Sequence, residues 1–109
     1  MRIWDIPPEK LCANHLLGEH RELHAIWSIL INNKKGYSRH PETLRWKGKQ
    51  KALYNRHESL VEEMTKRGFN HKSPLNKVFA VGEDKQHDFV DTVDEQIKLL
   101  KKKKCKCKL

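Results

Sequence analysis

Apolar residues recur along residues 8–32 at helical spacing: Leu11, Leu16, Leu23, Ile26, Trp27, Ile29 and Leu30 fall on one broad arc at about 100° per residue. Asp5, Pro7, Pro8 and Glu9 supply the cap-type residue, early prolines and early acid that start a helix. Asn33, Lys34, Lys35 and Gly36 supply the basic and left-handed-tolerant residues that end one, so a first helix is predicted over residues 8–32 and a loop over 36–40. Pro41 and Glu42 open a second predicted helix through Trp46, Leu53, Leu60, Val61 and Met64 to a Lys66-Arg67-Gly68 stop. Residues 69–91 hold Ser73, Pro74, Gly82 and Asp84 among scattered apolars and read as loop with one short turn of helix. Thr92 with Glu95 three residues later is a capping-box pattern, and Val93, Ile97 and Leu100 give one face of a third, short helix. The fold class expected is all-α, a single compact domain over residues 1–100 followed by a basic tail over 101–109.

Polar groups interrupt the apolar faces. His15, Glu19 and Glu22 fall inside the arc of the first helix, whereas Arg21, His24 and Ser28 take its solvent side. Burying a carboxylate is costly unless a partner or hydrogen bonds offset it, so such placement usually has a purpose. His57 lies within the stripe of the second helix, within expected reach of Glu19 or Glu22 if the two stripes face each other. For any one such pair, a buried His-Glu contact that only locks two helices is the stronger reading. His15 and Glu19 also have metal-compatible spacing, but the His-Glu-x-x-His order is absent and no metal site is expected.

Charge changes the picture more than composition does. Lys and Arg outnumber Asp and Glu by 23 to 14, a formal charge of +9, which attracts polyanions over long range. No apolar run reaches the roughly 20 residues of a membrane span, and no signal-peptide order opens the sequence, so a cytoplasmic protein with no membrane partner is expected. Cys12, Cys105 and Cys107 are an odd count without framework spacing, which fits reduced thiols. The tail from Lys101 to Leu109 is expected to be solvated and basic, with soft-metal binding by its Cys-x-Cys pair the lesser reading.

The segment His15-Leu-Leu-Gly-Glu-His-Arg-Glu-Leu23, together with Lys66-Arg-Gly-Phe-Asn70, resembles the phage and bacterial pyrimidine-dimer DNA glycosylases, the dimer-specific endonuclease V type. The shared pattern, His-Leu-x-x-Glu-x-Arg-Glu-Leu, fixes polar positions as well as apolar ones. The resemblance implies a set of three helices with the N-terminus beside the first. It also implies an α-amine that attacks C1′ of the damaged nucleotide to give a Schiff base, followed by β-elimination. By resemblance the essential glutamate is Glu22, Arg21 and Arg2 contact DNA, and His15 lies near the site. The family's amino-terminal threonine falls here on Met1, which a large Arg2 should keep in place with its α-amine free. A second family arginine falls on Ala25, and the family's aromatic C-terminal segment is replaced by residues 101–109.

The chemistry suits an α-amine. With a pKa of about 7.7–8.0 it is roughly a tenth unprotonated at pH 7, whereas a lysine is free in about one molecule in two thousand. Met1 and Glu22 are therefore the expected catalytic pair, with Glu22 stabilising developing positive charge, moving the elimination proton, or both. Glu19 and His57 are expected to support the site. Arg2, Arg21, His15, Arg39, Arg45 and Lys47, with Lys49 and Lys51, are candidate DNA contacts. Trp4, Trp46 and Tyr37 are candidate wedges, with core packing the stronger reading for these aromatics. The expected function is base-excision repair by a DNA glycosylase and AP lyase acting as a monomer on double-stranded damaged DNA, at pyrimidine dimers or abasic sites, without cofactor. The alternatives are a non-catalytic DNA- or RNA-binding module on the same scaffold and a basic protein-interaction module.

Overall fold

The computed structural model describes residues 2–32, 39–71, 73–103 and 105–109. Among them it is helical and without strands, as the hydrophobic pattern predicts. An extended amino-terminal segment leads to a 3-10 turn, Pro8–Lys10, and then to α1, Ala13–Asn32. Next come α2, Pro41–Leu44, and α3, Gln50–Lys66, a second 3-10 turn, Lys77–Phe79, and α4, Val93–Lys102.

The long helices α1 and α3 pack against each other through the stripes seen in the sequence. Leu16, Leu23, Ile26 and Trp27 meet Leu53, Leu60 and Met64 in one core, which Ile3, Ile6 and Leu11 close from the amino-terminal side and Leu100 from α4. Burial of these side chains supplies the main driving force for the fold. α3 ends as its Lys-Arg-Gly signal predicts. Gly68 takes φ 82°, its N–H bonds the Thr65 carbonyl at 3.0 Å, and the Phe69 N–H bonds the Met64 carbonyl at 2.9 Å, the Schellman arrangement. α4 begins with both bonds of the Thr92–Glu95 capping box in place.

Three expectations are corrected. The first helix does not run unbroken from residue 8, because Leu11 is extended (φ −82°, ψ 139°) and turns its side chain into the core before α1 begins. The second helix is split after Leu44, where Gly48 takes φ 77°. The early amides of α3, which lack helical acceptors, bond instead to a distant loop: Lys51 N–H to Val81 carbonyl at 2.9 Å and Ala52 N–H to Glu83 carbonyl at 3.0 Å. The tail is not a freely solvated strand. Lys108 N–H bonds the Lys10 carbonyl at 2.7 Å, Cys12 N–H bonds Cys107 Sγ at 3.1 Å, and Cys107 and Leu109 pack against the core. The predicted end of the first helix at residues 33–36, most of the following loop, Tyr37 and Met1 lie outside the described residues. No helix among the described residues is long and apolar enough to cross a membrane.

Candidate active site

Two buried carboxylates hold the amino-terminal segment against the helices. Glu19 on α1, 2% exposed, accepts the Trp4 N–H at 2.9 Å and a two-point pair from Arg56 on α3, at 2.7 and 3.0 Å. Burial pushes the Glu19 carboxyl above its ordinary range, against the opposing pull of the Arg56 guanidinium and the Trp4 amide. Glu42, at the start of α2, accepts the Ile3 N–H at 3.1 Å and the Arg45 Nε–H at 2.7 Å. Asp5 closes the segment against α4 through Gln96, which accepts the Asp5 N–H at 2.8 Å and donates to its carboxylate at 2.9 Å.

Glu22 stands one helical turn beyond Glu19, half-buried and with no hydrogen bond or ion pair to a described residue. From Leu11 back to Trp4 the segment follows α1 from its start toward Glu19, and the Trp4 ring meets His15 edge-on at 5.9 Å. Glu22 lies further in that direction on the same face. Arg2 is half-buried, bonded to Asp91 at 2.8 Å and stacked 5.0 Å from the Trp4 ring. Arg21 and Arg39 are exposed, as is Lys47.

Other residues singled out in the sequence take different positions. Arg45 does not offer its guanidinium to phosphate: it is buried, bonded to Ile3 and Asp88 carbonyls at 2.9 and 3.0 Å, paired with Asp5 and Glu42 at 3.0 and 2.6 Å, and stacked on Trp46. Lys49 is likewise engaged, by Asp88 and Gln86. Trp4 and Trp46 belong to the core, with Trp46 Nε1–H bonded to Glu42 at 3.3 Å. His57 reaches neither Glu19 nor Glu22, because Arg56 takes the Glu19 carboxylate. Its Nδ1 faces Glu58 at 3.0 Å, and its Nε2 faces His20 and His24 at 3.3 and 3.2 Å. His24 therefore points inward and not to solvent.

Two groups of side chains have metal-ligand chemistry, one in which the sequence suggested no metal and one built around the Cys-x-Cys pair, for which a soft metal was the lesser reading. His20, His24, His57 and His71 bring one ring nitrogen each to within 4.8 Å of one another, and Cys12, His15, Cys105 and Cys107 do the same with sulfur and nitrogen. Burial and the neighbouring rings hold His20 down to about 4, with His24 and His57 also lowered. In the second group, burial raises Cys12, but hydrogen bonds from His15 and Cys107 outweigh it and bring the thiol to about 6, whereas burial drives Cys107 up to about 12. A groove of about 930 Å³ opens beside this group, with Lys66, Arg67, Lys103, Lys106 and Lys108 on its walls. The spacing of His20 and His24, four apart on one helix, was the sequence signal for the first group. For the second, the Cys-x-Cys pair of the tail was a local signal, but its union with Cys12 and His15, about ninety residues away, was not legible.

No curated protein and no solved structure matches the chain significantly. The family model described as pyrimidine dimer DNA glycosylase matches residues 1–77, which include the amino-terminal segment, α1, α2, α3 and every glutamate and histidine of the site. Together with the helical fold and the carboxylate-lined seat for residues 2–5, the match over most of the sequence establishes that this chain belongs to the pyrimidine dimer DNA glycosylase family.

Proposed function

We propose that the protein is a DNA glycosylase and AP lyase whose nucleophile is the α-amine of Met1, with Glu22 as the acid-base and electrostatic partner. The observation that carries this reading is the Trp4–Glu19 hydrogen bond, which fastens the amino-terminal segment to the face of α1 that also bears Glu22. Glu19 is committed to Arg56 and to the backbone, which suits a positioning residue. Glu22, half-buried and without a partner among the described residues, retains its proton-accepting oxygens for chemistry.

The reaction balances without a cofactor. The amine attacks C1′ of the damaged nucleotide as the glycosidic bond breaks, and the base leaves with a proton shed by the amine. The C1′–O4′ bond then opens, O4′ takes up a proton, and an imine forms between the α-nitrogen and C1′. Removal of a proton from C2′ then expels the 3′ phosphate by β-elimination, and water releases the enzyme. Glu22 stabilises the positive charge that develops on the sugar and accepts the C2′ proton. Access to C1′ requires a bent duplex or an extruded base, at a cost of about a few kcal/mol that a lesion with weakened stacking reduces. Arg2, Arg21, Arg39 and Lys47 are the proposed phosphate contacts, and damaged double-stranded DNA is the proposed substrate of a monomer.

Incision of an oligonucleotide duplex with one defined cyclobutane dimer, beside an abasic duplex, tests the reading. Strand cleavage at both is expected, with Glu22→Gln binding normally and cleaving neither. Binding without cleavage by the unaltered protein would instead support a non-catalytic DNA-binding module.

A further inference from the structure

We propose that the four histidines on the far side of α1 form a tetrahedral zinc site. The Nε2 atoms of His20, His24 and His57 stand 3.2, 3.2 and 3.3 Å apart, a nearly equilateral triangle. Tetrahedral zinc with nitrogen bonds of about 2.0–2.1 Å requires ligand nitrogens roughly 3.3–3.4 Å from one another. His71 supplies the fourth corner. Its Nε2 is buried without a hydrogen-bond partner among the described residues, and its ring lies 5.0 Å from His20 and 5.1 Å from His57.

Hydrogen bonding alone explains this arrangement poorly. The Glu58 carboxylate faces His57 Nδ1 at 3.0 Å, so the ring proton sits on Nδ1 and Nε2 presents its lone pair to the cluster. That outward carboxylate is the partner that orients a metal-bound histidine. Three Nε2 atoms in mutual contact then share at most two protons, and the His71 nitrogen has none to meet. A divalent cation at the centre satisfies all four. At about 100° per residue Glu22 stands roughly 160° around α1 from both His20 and His24, so the ion is structural and takes no part at C1′. It would tie the segment after Gly68 to α1 and α3.

An independent observation assigns a second zinc to Cys12, His15, Cys105 and Cys107, a Cys3His set of the kind found in structural zinc sites. Cys12 Sγ and Cys107 Sγ lie 3.1 and 3.4 Å from His15 Nδ1, close to the roughly 3.5 Å that tetrahedral zinc with mixed ligands sets. The Cys12 amide points at Cys107 Sγ at 3.1 Å, a donor suited to a thiolate. Three lysines, Lys103, Lys106 and Lys108, surround this end of the chain, and a metal explains why so basic a tail folds back onto α1. Binding displaces the thiol protons to solvent.

Metal analysis of untagged, extensively dialysed protein tests both sites, with zinc content and cobalt(II) substitution as readouts. Two equivalents per chain are expected, and the cobalt form should show both tetrahedral d–d absorption and sulfur-to-cobalt charge transfer. His71→Ala should retain one equivalent and the charge-transfer band. Cys105→Ser should retain one equivalent and lose most of that band, and a double variant should bind none. Circular dichroism identifies any variant that has failed to fold. For such a variant, cobalt titration of chelator-stripped wild type replaces the comparison, because its spectrum distinguishes sulfur from all-nitrogen ligation. One equivalent with charge transfer overturns the histidine site, one without it overturns the thiol site, and less than a tenth of an equivalent overturns both.

Discussion

Arg45 and Lys47 are two residues apart, and the structure gives them opposite roles. Arg45 is enclosed by Asp5, Glu42 and two carbonyls, so Arg45→Ala leaves buried carboxylates unpaired and should lower stability by about 3–5 kcal/mol. Lys47 is exposed, so Lys47→Ala should leave the urea midpoint unchanged and reduce the salt slope of DNA binding by about one. Urea titration and affinity measured at several salt concentrations separate the two. The sequence presented both as basic residues just past a helix start. Glu42, three residues before Arg45, is a local partner, but the burial of Arg45 depends on the distant Ile3, Asp5 and Asp88, which no local pattern reports. Glu19 and Glu22 were legible as acids on an apolar arc. That Glu19 would be consumed by Arg56 and Trp4 was not, because the pairing depends on how α3 registers against α1.

Among the elements, the punctuation at Gly68, which stops α3, and at Thr92 with Glu95, which starts α4, matched its prediction, whereas Pro7, Pro8 and Glu9 open only a 3-10 turn. The split between α2 and α3 was illegible because its stabilising bonds come from residues 81–83. Gly82 is the tight point of that contact. It takes φ 85°, pairs with Lys49, and a Cβ there would meet the Gly48 carbonyl. Gly82→Ala should therefore cost at least about 1–2 kcal/mol from the left-handed backbone alone, and more from the collision. Hydrogen exchange should show the first-turn amides Lys51 and Ala52 losing protection before the rest of α3; unchanged protection would contradict this account of the break. The tail was misread for a related reason. Its lysines suggested solvation, while its two cysteines meet Cys12 and His15 only in three dimensions.

At the level of the whole molecule, the histidine cluster links stability to acidity. His20 falls from an ordinary value of 6.5 to about 4 in the fold, so between those values the unfolded chain binds more protons than the native one. Stability is therefore full above about pH 6.5 and lost as pH falls toward 4. Urea midpoints of the chelator-treated protein between pH 7 and 4.5 should fall steadily, and a flat profile would contradict a neutral buried cluster. Histidine protonation and the proposed metal ion compete for the same nitrogens, so zinc should raise stability at pH 7 and lose that effect in acid.

The family membership and the all-helical scaffold fix the molecule's class, and the catalytic proposal turns on one nitrogen. Borohydride reduction of the protein mixed with abasic-site duplex, followed by proteolysis and mass analysis of the cross-linked peptide, measures it directly. A covalent adduct is expected on the α-amine of the peptide that begins at Met1, and an N-terminal extension should abolish it. An adduct on a lysine side chain, or none where a known lyase reacts in parallel, would contradict the catalytic proposal.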